Sequence, residues 1–163
     1  MRHRAIGASR QGYGSDPVQQ WVDIIPAHMS HWQQLTEFVV RLPHRAGELA
    51  RLTAQLRAAK VEILSYYGPT EGRSADGFHI IPADAEQFRE FAAKIGLGTW
   101  EESCFHITGA YRGGDLVGTL DAISQEGINI QFVNAFESGG QMGILIWVDD
   151  ADVDRLTKLL SVV

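Results

Sequence analysis

The strongest constraint on the fold is an internal repeat with an offset of 67 residues. The stretch "RLPHRAGELARL" (41–52) has a near copy in "GAYRGGDLVGTL" (109–120). Each begins in an apolar run and passes through one glycine, Gly47 or Gly114, into leucines at helical spacing. A duplicated segment is best explained by one folding unit used twice. The sequence therefore predicts two similar units in tandem.

The first half predicts an alternation of strands and helices. Short runs rich in branched and aromatic residues indicate strands, and apolar residues three and four apart indicate helices. The second of its helices is expected to begin at an N-cap, Asp84, and to end at Gly96. In order, the predicted elements are a strand at 35–42, a helix at 46–60, strands at 61–68 and 78–82, a helix at 84–96 and a short strand at 99–102.

The second half predicts the same order, which defines the fold class. Its elements are a strand at 103–110, a helix at 114–126, strands at 128–136 and 142–148, and a helix at 151–160. We therefore predict an α+β protein of two tandem ferredoxin-like βαββαβ units, each an antiparallel sheet with helices on one face.

The predicted domain organisation is an N-terminal extension, partly flexible, at 1–34, followed by units at 35–102 and 103–163. The second unit lacks a confident final strand. We expect its open edge to be filled by another part of the chain, for which 18–26 has strand composition, or by a partner.

The two glycine joints have the chemistry of an anion site. The first amides of a helix have no partner within the helix and lie at the positive end of its dipole. A carboxylate or phosphate is stabilised there, and Arg45 or Arg112 can add a charge-assisted contact. The alternative is that each glycine merely makes a turn, while Glu48 and Asp115 satisfy the helix start. Repetition of the joint favours the anion site.

A family resemblance follows from these residues. "HRAGELARL" followed by "VEILSYY" resembles the ACT domain, a small regulatory module whose usual joint reads Asp or Asn, Arg, Pro, Gly, any residue, Leu. "YRGGDLVGTLDAISQEGINI" resembles it as well, so about residues 35–160 look like a tandem ACT protein. The resemblance implies binding of small molecules, most often amino acids, at interfaces between paired modules. The implied ligand contacts are His44, Arg45, Ala46, Gly47, Glu48, Leu49, Tyr111, Arg112, Gly113, Gly114, Asp115, Leu116 and Asn134, with Tyr67 equivalent to Asn134.

The chain departs from the family pattern at both joints. Ala46 and Gly113 replace the usual proline, and His44 and Tyr111 stand where Asp or Asn commonly binds an amino group. The anion-binding half of the site is retained, whereas the amine-binding half is not obvious. The ligand is thus left open between an amino acid and another small carboxylate, and a joint that serves only assembly is a further alternative.

Several other functions are disfavoured. A net charge of −6, and strands such as "FVVRL" and "ILIWV" that carry aromatics without clustered positive charge, argue against nucleic-acid binding. The sequence contains neither a GxSxG nor an HExxH motif, so we predict a non-enzyme without a cofactor or metal. The pair His28 and His31 in "HMSH" lacks an obvious third metal ligand. His79 and His106 fall in predicted strands and are expected to be structural or at the surface.

The remaining expectations concern location and partners. The single cysteine, Cys104, excludes an internal disulfide and is expected to be a buried thiol. No apolar window is long enough to cross a bilayer, and the N-terminus lacks the apolar core of a secretory leader, so we expect a cytoplasmic protein. The basic first ten residues are expected to be a solvated tail or a docking arm. The protein is expected to form a homodimer and to regulate by binding a ligand. The alternative is a regulatory or assembly subunit that docks on a larger metabolic enzyme without a ligand of its own.

Overall fold

The computed structural model describes residues 31–43, 45–68 and 77–161. The predictions for the N-terminal tail, the strand at 18–26, His28 and His44 lie outside the described residues. The elements of the described part are β1 (His31–Arg41), α1 (Glu48–Ala58), β2 (Ile63–Tyr67), β3 (Gly77–Pro82), α2 (Ala85–Ile95), β4 (Thr99–Ala110), α3 (Asp115–Gln125), β5 (Ile130–Ser138), β6 (Gln141–Val148), a 3-10 turn (Asp150–Asp152) and α4 (Val153–Leu160).

The predicted order of strands and helices is confirmed over this part of the chain, with two differences in the strands. β1 begins at His31, earlier than predicted, because its polar first residues gain backbone partners on β4. The strands predicted at 99–102 and 103–110 are one continuous strand, β4, so the predicted boundary between the two units lies inside it. For α2, Asp84 accepts hydrogen bonds from the amides of Glu86 and Gln87, and Gly96 ends the helix in the left-handed conformation, as predicted.

The six strands of the described part form one antiparallel sheet in the order β2-β3-β1-β4-β6-β5. The central strands β1 and β4 have 11 and 12 residues and pair from His31 opposite Thr108 to Val40 opposite Thr99. The first part of β1 thereby lies beside the β4 segment that pairs with β6. Another part of the same chain therefore occupies the edge that the second half was predicted to leave open.

The register of the central pair reflects the sequence repeat. Thr36 lies opposite Ser103, and these two residues are separated by the repeat offset of 67. Residues that are equivalent in the repeat are thus direct partners at this point. The repeat consequently relates β1 and β4 by an approximate twofold axis passing between Thr36 and Ser103.

The four helices of the described residues cover the same face of the sheet. α1 and α2 pack on one apolar cluster that includes the fully buried Phe38 and Val40 of β1. α3 and α4 pack on a second cluster that includes Phe105 and Ile107 of β4. Phe38 lies opposite Glu101, an even number of residues from Phe105, so both clusters lie on one face. The prediction of helices on one face is confirmed.

The face without described helices carries a third cluster, formed by Ile81, Cys104, Leu145 and Trp147. Cys104 is fully buried and is not in a disulfide, which confirms the prediction of a buried thiol. Among the helices described, none combines the length and the apolar character that a bilayer crossing requires.

Candidate functional site

The two joints have the same backbone conformation. Gly47 and Gly114 are the N-cap residues of α1 and α3, with φ/ψ of 90°/−11° and 97°/−10°. A Cβ atom at either position meets no atom within 4 Å. The left-handed turn, rather than close approach of another group, is therefore what requires glycine. Gly113 does not have a left-handed φ and has open space around it, consistent with alanine at the equivalent position 46.

The first joint is an exposed turn. The Arg45 amide donates to the Pro43 carbonyl at 2.7 Å, and the Arg51 amide donates to the Gly47 carbonyl at 2.8 Å. The Glu48 carboxylate turns along the helix and accepts from the Arg51 guanidinium at 3.0 Å. The Arg45 side chain is exposed beside the helix start. The Glu48 amide donates to the Arg45 carbonyl at 3.4 Å. The positive end of the helix and an exposed guanidinium thus adjoin one another at this turn.

The second joint differs in its acidic residue. The Tyr111 amide donates to the Gly140 carbonyl at 2.8 Å, which ties the joint to the turn between β5 and β6. Asp115 is only 4% exposed, and its carboxylate accepts from the Arg112 amide. The Asp115 side chain therefore bonds to the chain just before the N-cap Gly114 rather than to a first-turn amide of the helix.

The two joints lie at opposite ends of the sheet. β1 and β4 run antiparallel, and the first joint follows Arg41 whereas the second follows Ala110. Ten residue steps along β1 from Arg41 to His31, which lies opposite Thr108, and two more along β4 to Ala110 separate the two ends by roughly 40 Å. Of the predicted contacts that are described, residues 45–49 lie together and residues 111–116 lie together, but one chain does not bring the two groups to a shared site.

Asn134 lies apart from both joints. It is opposite Leu145 on β6, whereas the level of Ala110 on β5 is reached at Ser138, four residues further along. Along β5, Asn134 is therefore roughly 13 Å from the level of the second joint. Its repeat equivalent, Tyr67, stacks on the His79 ring at 4.6 Å and donates its hydroxyl to Glu37.

Sequence reasoning missed a buried polar cluster on the face without described helices, formed by Glu37, Tyr67, His79 and Trp147. Glu37 and His79 are both 0% exposed. The Glu37 carboxylate accepts from the Trp147 indole at 3.1 Å and lies 3.2 Å from Nδ1 of His79. Because Trp147 belongs to the second half of the chain, this cluster ties the two halves together. The available signal was a glutamate in a strand, at alternate spacing with the apolar Leu35 and Val39.

The predicted strand histidines have structural surroundings, as expected. His79 is part of the buried cluster, and partial burial lowers the pKa of His106 below its ordinary value. The side-chain amide of Gln33 lies 3.4 Å from Nδ1 of His106. Within residues 31–43, 45–68 and 77–161, no three His, Cys, Asp or Glu side chains are grouped so that they could hold a metal ion.

Comparisons with known proteins identify the fold. No protein-family pattern and no curated protein matches the sequence. Among solved structures, protein BT0572 of Bacteroides thetaiotaomicron matches with a TM-score of 0.62 and 17% identity, covering 82% of this chain and 88% of that one. The regulatory subunit of aspartate kinase from Thermus thermophilus matches with a TM-score of 0.54 and 12% identity, covering 80% and 93%. Its counterpart from Thermus flavus gives 0.51 and 12%, covering 80% and 94%.

These likenesses agree with the resemblance of residues 35–160 to the ACT domain. Identities of 12–17% carry information on fold alone. The chain has the ACT-type fold that its sequence resembles.

Proposed function

We propose that the protein is a non-catalytic regulator that binds an amino acid or another small carboxylate at its ACT-type strand–helix joints. The observation that carries this proposal is the duplicated left-handed glycine, which in both halves opens a helix start to solvent beside an arginine. Two of the matching structures are regulatory subunits of aspartate kinase, which favours a regulatory role over a catalytic one.

The first joint is the proposed primary site. The amides at the start of α1 and the Arg45 guanidinium bind the ligand carboxylate. Glu48 does not compete for these groups, because its carboxylate pairs with Arg51. At the second joint the buried Asp115 already supplies a negative charge, and anion affinity is lower there.

The second wall of the site comes from another copy of the chain. The joints are at opposite ends of the sheet, and Asn134 is distant from both, so each reaches a neighbouring module only across an interface. We propose a cytoplasmic homodimer of two-unit chains, with units at 35–102 and 103–163, and no nucleic-acid or membrane partner.

A thermal-shift screen against amino acids and small carboxylates tests the proposal. A ligand present at a hundredfold excess over its Kd stabilises the native state by about 2.7 kcal/mol. For a chain of this size that corresponds to a Tm increase of roughly 5–10 °C. A flat response across the panel contradicts ligand binding.

Arginine variants then test which of the two joints binds the carboxylate. Arg45→Ala is expected to weaken carboxylate binding about tenfold, since one charge-assisted hydrogen bond is lost, while the Tm of the free protein stays nearly unchanged. Arg112→Ala is the matched control in the other half and is expected to have the smaller effect. Equal affinity of wild type and Arg45→Ala rules out the anion contact.

A second candidate function is a subunit that docks on a larger enzyme without binding a ligand. The exposed apolar side chains at the second joint favour it, because Tyr111 is 47% and Val117 is 62% exposed. Purification from the native host tests this function, with Val117→Asp as the variant that weakens docking. Recovery of the protein without a partner enzyme counts against it.

A further inference from the structure

We infer that a groove between α1 and β2 binds a monocarboxylate with a long apolar tail, held by cations at the opposite end of α1 from the proposed joint site. The lining of the groove begins at Leu49, in the first turn of α1, and ends at these cations. The groove has a volume of about 500 Å³, within the range of ligand sites. Leu52, Leu56 and Thr53 form one wall, Phe78 and Ile80 of β3 form the floor, and Ile63 and Tyr66 of β2 form the other wall. It exists because β2 is an edge strand whose helix-facing side extends beyond α1.

The rim at one end of the groove is cationic. Arg57 and Lys60 line this end together with a single carboxylate, Glu62. The formal charge of this rim is therefore one positive unit, in a chain whose net charge is −6. A ligand with one negative charge and an apolar tail complements such a groove, with its head at Lys60 and its tail along the leucines.

The C-terminal end of α1 adds about half a negative charge to this rim, which lowers its positive charge but does not cancel it. Its last carbonyls accept hydrogen bonds from the chain, since the Ala59, Lys60 and Val61 amides donate to the carbonyls of residues 55, 57 and 56. The ammonium and guanidinium groups thus remain available to an anion at the rim.

The backbone of Lys60 supports a role for its side chain. Lys60 has φ of 57°, in the left-handed region that is unfavourable for residues with a Cβ atom. Its repeat equivalent is Gly127, which takes the same conformation at φ of 66°. Glycine serves the same turn in the second half, so the turn alone does not explain lysine in the first half.

The other differences between the halves also concern the groove. Arg57 is replaced by Ser124 in the second half. Thr53 is replaced by Leu120, which packs against the apolar core. The second half therefore lacks both rim cations and has a larger side chain on the groove wall. These three substitutions supply test variants that the same fold already accommodates.

The test uses decanoate as the probe, titrated into the full-length protein by calorimetry. Lys60→Gly and Arg57→Ser are each expected to weaken decanoate binding about tenfold. Thr53→Leu is expected to weaken it because the larger leucine side chain occupies part of the groove. Lys60→Gly is also expected to leave the Tm unchanged or raise it by about 2 °C, because glycine relieves the left-handed backbone. A loss of binding in a protein that is no less stable separates a ligand contact from a folding defect.

Matched probes and variants complete the design. Lys94→Ser removes a lysine from the last turn of α2, outside the groove lining, and is expected to bind decanoate like wild type. Hexanoate, four methylenes shorter, is expected to bind roughly a hundredfold more weakly. Decanol has the same tail without the charge, and its affinity is expected to be lower than that of decanoate by about tenfold or more.

Three results overturn the inference: undiminished affinity in both rim variants, decanol binding as tightly as decanoate, or no detectable binding of decanoate to the wild-type protein. Arg45→Ala is expected to leave decanoate binding intact, because the rim lies at the opposite end of α1 from the joint, roughly 16 Å away. Failure of the joint site and failure of the groove are therefore distinguishable.

Discussion

The two left-handed N-cap glycines allow a quantitative test of how the joints are built. With φ of 90° and 97°, Gly47 and Gly114 lie in the region where a Cβ atom is penalised, although no neighbouring atom is within 4 Å. Alanine at each position is expected to cost about 1–2 kcal/mol of unfolding free energy from backbone strain. Alanine also restricts the unfolded chain, which raises the unfolding free energy by about 0.4–1 kcal/mol. The net loss is therefore near 1 kcal/mol for each site.

Urea unfolding followed by tryptophan fluorescence measures these losses. The midpoint is expected to fall with an unchanged m-value, and the Tm is expected to fall by about 2–4 °C for each variant. Because the joints are at opposite ends of the sheet, the double variant is expected to lose the sum, about 2 kcal/mol. Gly113→Ala is the control, since its backbone is not left-handed, and it is expected to be neutral or stabilising. A Gly47→Ala loss no larger than that of this control refutes the strain account.

Three further predictions concern other parts of the fold. Tyr67→Phe is expected to lose about 1.5–3 kcal/mol of stability in urea unfolding, because a hydrogen bond to the buried Glu37 carboxylate is removed; no loss contradicts it. Asp84→Ala is expected to cost about 1 kcal/mol through the lost N-cap of α2, and Asp84→Asn much less. Burial lowers the folded-state pKa of His106, so the unfolded chain binds more protons and stability falls as pH drops below about 6.5. His106→Asn is expected to lose less stability than wild type between pH 7 and 5.5, and equal losses contradict this cause.

Local patterns in the sequence were sufficient to predict the elements and the turn chemistry. The apolar spacing in α1 and the Asp84 and Gly96 caps of α2 depend on neighbouring residues only, and both features are observed. The repeat offset also predicted matching joints, and their glycines share one conformation.

What depends on pairing between distant strands could not be predicted in the same way. Nothing local indicates that Thr36 pairs with Ser103, yet this register places the joints at opposite ends of the sheet. The same register extends β1 back to His31 and merges two predicted strands into β4.

The buried Glu37 cluster illustrates the same limit. A glutamate in a strand is usually exposed, and its burial depends on Trp147, which is far away in the sequence. The roles of the acidic residues at the joints depend on side-chain direction. Glu48 turns to Arg51, whereas Asp115 turns back to the Arg112 amide.

The central claim is that a small carboxylate binds at a strand–helix joint, and amide NMR of the glycines tests it most directly. Gly47 and Gly114 are left-handed at helix starts, whereas Gly96 and Gly127 are left-handed after the ends of helices. On titration with pooled amino acids and small carboxylates, the amide signals at the helix starts are expected to shift, most strongly that of Gly47, while the other two stay in place. Absence of a shift at Gly47 and Gly114, or equal shifts at all four glycines, contradicts the account.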